Sequence, residues 1–171
     1  MTKEIKQENI MRKVKIDKVV LSVGGTSESL DKGFDLLKIL TGRNPARTIS
    51  RKRIPALGVR PNLQVGAVVT IRKNPMEVLR RMLSAIENTL KKKQIMENNF
   101  SFGIKEYIEI PGMEYQREIG IMGLDVTVVF KRTGRRVRIK KMRKGKVPKR
   151  QVIKSEEIIK FMEENFNTKF K

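Results

Sequence analysis

The sequence has no cysteine and no histidine. Disulfides, thiolate nucleophiles, Cys/His zinc sites and every mechanism that uses imidazole as acid or base are thereby excluded. Tryptophan is missing too, and two Tyr with seven Phe make up the whole aromatic complement. Long apolar runs are lacking: the longest, Leu63 to Ile71, falls far short of the ~20 residues that cross a bilayer. Charges at Lys3, Glu4, Lys6, Glu8, Arg12 and Lys13 break up the first twenty residues, which leaves no apolar leader core. The expectation is a soluble, cytoplasmic protein with no membrane contact.

The most informative shortage is of acid. Asp and Glu do not occur in residues 36–76 or 126–155, which hold nine and thirteen Lys/Arg; the other seventeen Lys/Arg are outnumbered by the eighteen acids of the chain. The whole net charge of +21 therefore lies in two acid-free blocks. A solvated surface mixes both signs, whereas blocks of one sign need a polyanion to neutralise them.

What is present supports a packed interior: 39% of the 171 residues are hydrophobic, enough for one well-cored domain. We expect a polar lead-in over residues 1–13, a single domain over 14–140, and a basic arm with a C-terminal helix packing on it over 141–171. Val14 to Val23 reads as a strand ending at Gly24 and Gly25. A helix follows, capped by Ser27 or Ser29, with Leu30, Phe34, Leu37 and Leu40 at helical spacing and a stop at Gly42. Gly24, Gly25 and Gly33 lack the GxGxxG spacing of a dinucleotide site and fit a tight strand-to-helix turn. Ala46 to Ile49 is a short strand, and Ser50 to Gln64 an exposed basic loop. Overlapping it, the stretch Arg47 to Arg60 combines five cations with an exposed apolar set, Ile54, Ala56, Leu57 and Val59.

Val65 to Arg72 is the next strand. Asn74, Pro75 and Glu77 then announce a helix whose stripe runs Val78, Leu79, Met82, Leu83, Ile86, Leu90 and closes on Lys91, Lys92 and Lys93. Residues 94–123 read as a loop enclosing a short strand around Tyr107 to Ile110. Asp125 to Lys131 is a strand, and Thr133 with Gly134 predicts a hairpin into Arg136 to Lys140, with Val137 and Ile139 turned to the core. Residues 141–154 read as an extended arm, and Ser155 caps a last helix bearing Ile158, Ile159, Met162 and Phe166. Several links are too short for parallel crossovers, so the fold class is α+β: a mostly antiparallel sheet with helices on one face.

The block Lys131 to Arg150 has twelve Lys/Arg in twenty residues and suits phosphate binding better than a merely solvated run. Phe100, Phe102, Tyr107 and Tyr115 are candidate base stackers, while Phe34, Phe161 and Phe166 belong to apolar helix faces. Glu106 and Glu109 are too few carboxylates for a two-metal site. No catalytic residue, metal or cofactor is expected. The rival to a structural RNA-binding role is a non-ribosomal RNA chaperone or RNA-processing factor.

In order along the chain, KIDKVVLSVGG, TGRNPARTISRKRIPALGVR, VGAVVTIR and NFSFGIKEYIEIPGMEYQREIGIMGLDVTVVFKR resemble the ribosomal protein L5 family. The likeness runs from about Met11 to Phe166, and the segment after Phe130 is similar to the archaeal and eukaryotic branch. It implies a structural constituent of the large ribosomal subunit that binds 5S rRNA in the central protuberance. The 5S-contacting positions would be Arg12, Lys13, Lys15, Ser22, Arg43, Asn44, Arg47, Thr70 and Arg72. The family commonly has Asn at the position of Ser22 and Gln at that of Arg43; both replacements keep a hydrogen-bond donor. A loop with Arg51, Lys52, Arg53, Gly58, Val59 and Arg60 would contact peptidyl-site tRNA. Further large-subunit rRNA contacts would come from Arg132, Arg135, Arg136, Arg138, Lys140, Lys141, Arg143, Lys144 and Lys146. Neighbouring ribosomal proteins, including a small-subunit head protein across the intersubunit bridge, complete the implied partners.

Overall fold

A computed structural model describes residues 9–171. Most of the expected lead-in, residues 1–8, lies outside the described residues; Ile10–Arg12 form a single 3-10 turn capped by the Asn9 side chain. The order is then β1 (Lys15–Gly24), α1 (Glu28–Thr41), β2 (Ala46–Ile49), β3 (Gln64–Ile71), α2 (Pro75–Ala85), β4 (Thr89–Leu90), β5 (Ile95–Met96) and β6 (Asn99–Ile104). After them come β7 (Leu124–Lys131), a four-residue helical turn α3 (Arg136–Ile139), α4 (Ser155–Phe166) and β8 (Lys169–Phe170).

Six strands form one sheet in the order β2-β3-β1-β7-β6-β5, every neighbouring pair antiparallel. The expected α+β class is what forms. Alternate residues of each central strand are buried: Val19, Leu21 and Val23 on β1, Val69 and Ile71 on β3, Val126, Val128 and Phe130 on β7, Phe100 and Phe102 on β6. They share one core with Leu30, Leu36 and Leu37 of α1, Leu79, Met82 and Leu83 of α2, and Ile158, Met162 and Phe166 of α4. Helix α1 sits close on the sheet because position 33 has no side chain: a Cβ there would come within 2.7 Å of the Val23 Cγ1.

Four sequence expectations are corrected. Helix α2 ends at Ala85, since Glu87 and Asn88 take successive left-handed conformations (φ 53° and 55°) and Asn88 N–H closes on the Leu83 carbonyl. Leu90 consequently pairs in parallel with Phe170, and Lys91 to Lys93 lie beyond the helix, where they meet no helix dipole. The strand expected at Tyr107 to Ile110 is a 3-10 turn over Tyr107–Glu109; the strand is β6, whose Phe100, Phe102 and Ile104 alternate into the core. The hairpin after Gly134 does not form. Strand β7 already has β1 on one edge and β6 on the other, so no ladder is free for Arg136 to Lys140. The chain instead makes the turn α3, and Val137 and Ile139 stay exposed. Lastly, Val59, expected on an exposed loop tip, is buried.

Candidate nucleic-acid interface

Burying one side of the sheet under helices leaves the other side half-exposed, and its side chains are short. Cross-strand register sets Val20 between Thr70 and Thr127, Ser22 between Val68 and Asp125, and Thr127 opposite Ser101. Thr48 joins this face from β2, opposite Gly66, where a Cβ would meet the Thr48 Oγ1 at 2.8 Å. A flat array of hydroxyls and small apolar groups lets sugar and phosphate approach the backbone closely.

The same register collects the cations. Because β1 runs antiparallel to both β3 and β7, its first residues lie beside the last residues of each. Arg43 and Arg72, from the first acid-free block, and Lys131 to Arg136, from the second, therefore meet at one end of the sheet around Lys15 and Lys18. Arg12, Lys13, Lys15, Arg43, Asn44 and Arg72 are exposed, and Arg43 reaches back to donate to the Thr70 carbonyl at 3.4 Å. Arg47 is placed differently. Its register partner Ala67 is a core residue, and its guanidinium lies 5.2 Å from the Phe34 ring, 2.8 Å from Asp31 and 2.9 Å from the Gln64 amide oxygen. That side chain ties β2 to α1 on the helical side.

The loop between β2 and β3 is braced. Ser50 N–H donates to the Leu63 carbonyl and Asn62 N–H to that of Ser50, both at 2.8 Å, closing the stem. Ile54 and Val59 exchange backbone hydrogen bonds of 2.9 and 3.1 Å around the turn Pro55–Leu57, and Gly58, at φ +63°, supplies the left-handed step that closes it. Arg51, Lys52, Arg53 and Arg60 stay exposed, with Leu57 at the tip.

Within the second block the cations divide into two sets. Arg132 is nearly buried; its guanidinium meets Glu157 at 2.5 Å and the Arg150 carbonyl at 3.0 Å, fastening β7 to the start of α4. Lys131 and Arg135 share Asp17, at 2.9 and 2.6 Å. By contrast Arg136, Arg138, Lys140, Lys141, Arg143, Lys144 and Lys146 are exposed, and among the described residues none pairs with an acid. The arm is anchored at its far end, where Ile153 is fully buried and exchanges hydrogen bonds with Asn98: its N–H to the Oδ1 and its carbonyl from the Asn98 N–H.

Of the candidate stackers, Phe100, Phe102 and Tyr107 are core residues, and the Tyr107 hydroxyl accepts the Gln116 N–H at 2.9 Å; only Tyr115 is exposed. Sequence reasoning missed Thr48, Ser101 and Thr127 on the open face, although the alternation of Ser101 and Thr127 with buried neighbours was readable. It also missed Asp17 and Glu157, the two acids that discipline the basic block from a distance.

A family model describing the C-terminus of the ribosomal protein L5 family matches residues 64–161. The large ribosomal subunit protein uL5 of Sulfolobus acidocaldarius is 41% identical over 168 residues, covering 96% of this chain and 94% of that protein. The uL5 of Nanoarchaeum equitans is 40% identical over 161 residues, covering 92% and 95%. That of Pyrobaculum aerophilum is 40% identical over 157 residues, covering 90% and 88%. An antiparallel sheet with one open basic-rimmed face, together with this near full-length identity to archaeal relatives, leads to one assignment: the chain belongs to the L5 (uL5) family, structural, non-enzymatic proteins of the large ribosomal subunit.

Proposed function

We propose that the protein is a structural constituent of the large ribosomal subunit that binds 5S rRNA in the central protuberance and adjacent large-subunit rRNA, working in the cytoplasm. The observation that carries this reading is the meeting of both acid-free blocks at one end of an open, hydroxyl-lined sheet face. Arg12, Lys13, Lys15, Arg43, Asn44 and Arg72 hold the 5S backbone, and Ser22 and Thr70 contact it from the sheet. Arg47 contributes indirectly by fixing β2. Affinity is then largely electrostatic. In a titration of the full chain with 5S rRNA, log affinity is expected to fall linearly with log salt, each neutralised phosphate contributing roughly −0.7 to −0.9 to the slope. A slope near zero would refute the reading.

The braced loop serves a different RNA, the peptidyl-site tRNA, through Arg51, Lys52, Arg53, Gly58 and Arg60. With its stem and tip closed by backbone hydrogen bonds, the loop projects cations without depending on the sheet face. Changing Arg51, Lys52 and Arg53 together to Ala is expected to leave 5S affinity within about 1 kcal/mol while weakening tRNA retention on assembled ribosomes. Equal loss of both would rule out the division.

The exposed cations from Arg136 to Lys146 contact large-subunit rRNA and order against it. Few apolar groups anchor residues 141–148, so ordering them in isolation costs more than it returns. Amide hydrogen exchange is expected to be fast there in the free protein and slow in the subunit, with Ile153, bonded to Asn98, protected in both. Slow exchange of 141–148 in the free chain would contradict it. Neighbouring ribosomal proteins, including a small-subunit head protein, complete the proposed contacts.

A further inference from the structure

We propose that Lys15, Lys131, Arg135 and Arg136 form a discrete phosphate site at the β1–β7 end of the sheet, and that Asp17 is its positioning residue. The site deepens the RNA-binding reading above and rests on it for the identity of the natural ligand, a backbone phosphate.

Lys15 and Lys131 are direct cross-strand partners. Like charges facing each other across a ladder repel, so this pair needs an anion between or beside its members. Arg135 and Arg136 follow immediately, and the four cations line a cleft of about 340 Å³ together with Asp17. One carboxylate serves four cations there; among the described residues neither Lys15 nor Arg136 has an ionic partner. Arg132 borders the same cleft, but Glu157 and the Arg150 carbonyl occupy its guanidinium, so it is not counted as a ligand.

The backbone is shaped to present Asp17. Ile16 opposes Phe130 and Lys18 opposes Val129, so Asp17 is the extra residue of a β-bulge, a feature that re-aims a side chain out of the regular alternation. Its Oδ1 takes Lys131 and its Oδ2 takes Arg135, while its side chain is 18% exposed. Arg135 gives Asp17 one N–H, and Lys131 meets it as an ion pair. Lysine has three donors and arginine five, so both keep donors for a second anion, and both side chains remain more than a third exposed or close to it (40% and 34%). Asp17 thus fixes two long side chains that a phosphate would otherwise have to order itself.

Two effects of opposite sign compete. Asp17 repels a phosphate about 7 Å away by roughly fourfold in affinity at a nearly aqueous dielectric constant. Prior ordering of two flexible cations is worth roughly five- to a hundredfold. Positioning wins, so removing the negative charge should weaken anion binding.

The test uses the full chain and inorganic phosphate at constant ionic strength, followed by NMR at the amides of residues 133–136 and the Arg135 side chain. The wild type is expected to show saturable shifts confined to these groups, and Asp17→Asn to bind about tenfold more weakly while remaining fully folded at the temperature of the titration. In a Lys131→Ala, Arg135→Ala background, Asp17→Asn should instead bind phosphate more tightly, by roughly fourfold, because only the repulsion is left to remove. A purely structural Asp17 would weaken binding in both backgrounds, and that result would overturn the proposal. So would Asp17→Asn binding phosphate as well as wild type, or phosphate shifts spread over the whole basic surface. Parallel titrations with 5S rRNA and with large-subunit rRNA separate the sources: the RNA whose affinity Asp17→Asn lowers supplies the phosphate. If neither RNA bound the wild type while phosphate still bound in the cleft, the RNA-binding reading would fail and the site would stand.

Discussion

Replacing Phe130 with Ala is expected to destabilise the protein by about 3–5 kcal/mol. The ring is 1% exposed and lies 5.8 Å from Phe100 in a stacked arrangement and 5.6 Å from Phe161 edge-on. Phe100 belongs to β6 and Phe161 to α4, so the substitution opens a cavity where the sheet meets the C-terminal helix. Its loss removes both the buried area and the geometric preference of the aromatic pairs, about 0.5–1.5 kcal/mol each. At roughly 2–4 °C per kcal/mol for a chain of this size, the melting temperature should fall by roughly 6–20 °C. Leu57→Ala is the control, since its side chain is 70% exposed at the loop tip and its loss should stay within about 0.5 kcal/mol. A loss below about 1 kcal/mol for Phe130→Ala, by urea unfolding, would mean that α4 is not held by the same core as the sheet.

Reversing Lys13, Arg43 and Arg72 together to Glu is expected to reduce 5S rRNA affinity on the order of 10³-fold near 0.1 M salt, because each charge-assisted phosphate contact contributes about a factor of ten. The salt slope should drop by roughly two to three at the same time. These three positions are exposed and pair with no acid among the described residues, and the Arg43 side chain makes one long hydrogen bond, so the fold should survive the change. Affinity within threefold of wild type, with an unchanged melt, would move the 5S contact away from this end of the sheet.

Where periodicity alone decides a segment, the sequence was legible. Val19, Leu21 and Val23 alternate as a half-buried strand should, Leu30 to Leu40 recur as a helix face should, and Gly42 ends α1 in the left-handed conformation, as a C-terminal glycine does. The failures share a cause, which is that local pattern does not report occupancy of neighbouring positions. Arg136 to Lys140 alternates convincingly, yet both edges of β7 are already filled, one by the preceding strand β6 and the other by the remote β1. Leu90 fits the helical stripe of α2, but two left-handed residues and a partner at Phe170 draw it into a strand. For the candidate site, the charge blocks marked two basic stretches and could not say which of their cations are free. Arg47, Arg132 and Arg135 are cations of the two blocks by composition, and it takes Asp31, Glu157 and Asp17 in space to show that they are engaged.

The central position of β1 also has a consequence in time. Its two ladders are completed on very different schedules: β3 follows within about fifty residues, whereas β7 is more than a hundred residues away. At roughly 5–20 residues per second, a growing chain holds β1 paired on one side only for on the order of ten seconds. Such an edge invites pairing with another chain. The strand carries its own protection, since Lys15, Asp17 and Lys18 stand at its start, and charges on an open edge make alien pairing unfavourable. Charged residues at the start of β1 thus act first as guards of an unfinished sheet, and neutralising them should lower the yield of soluble nascent protein before it alters the stability of the finished one.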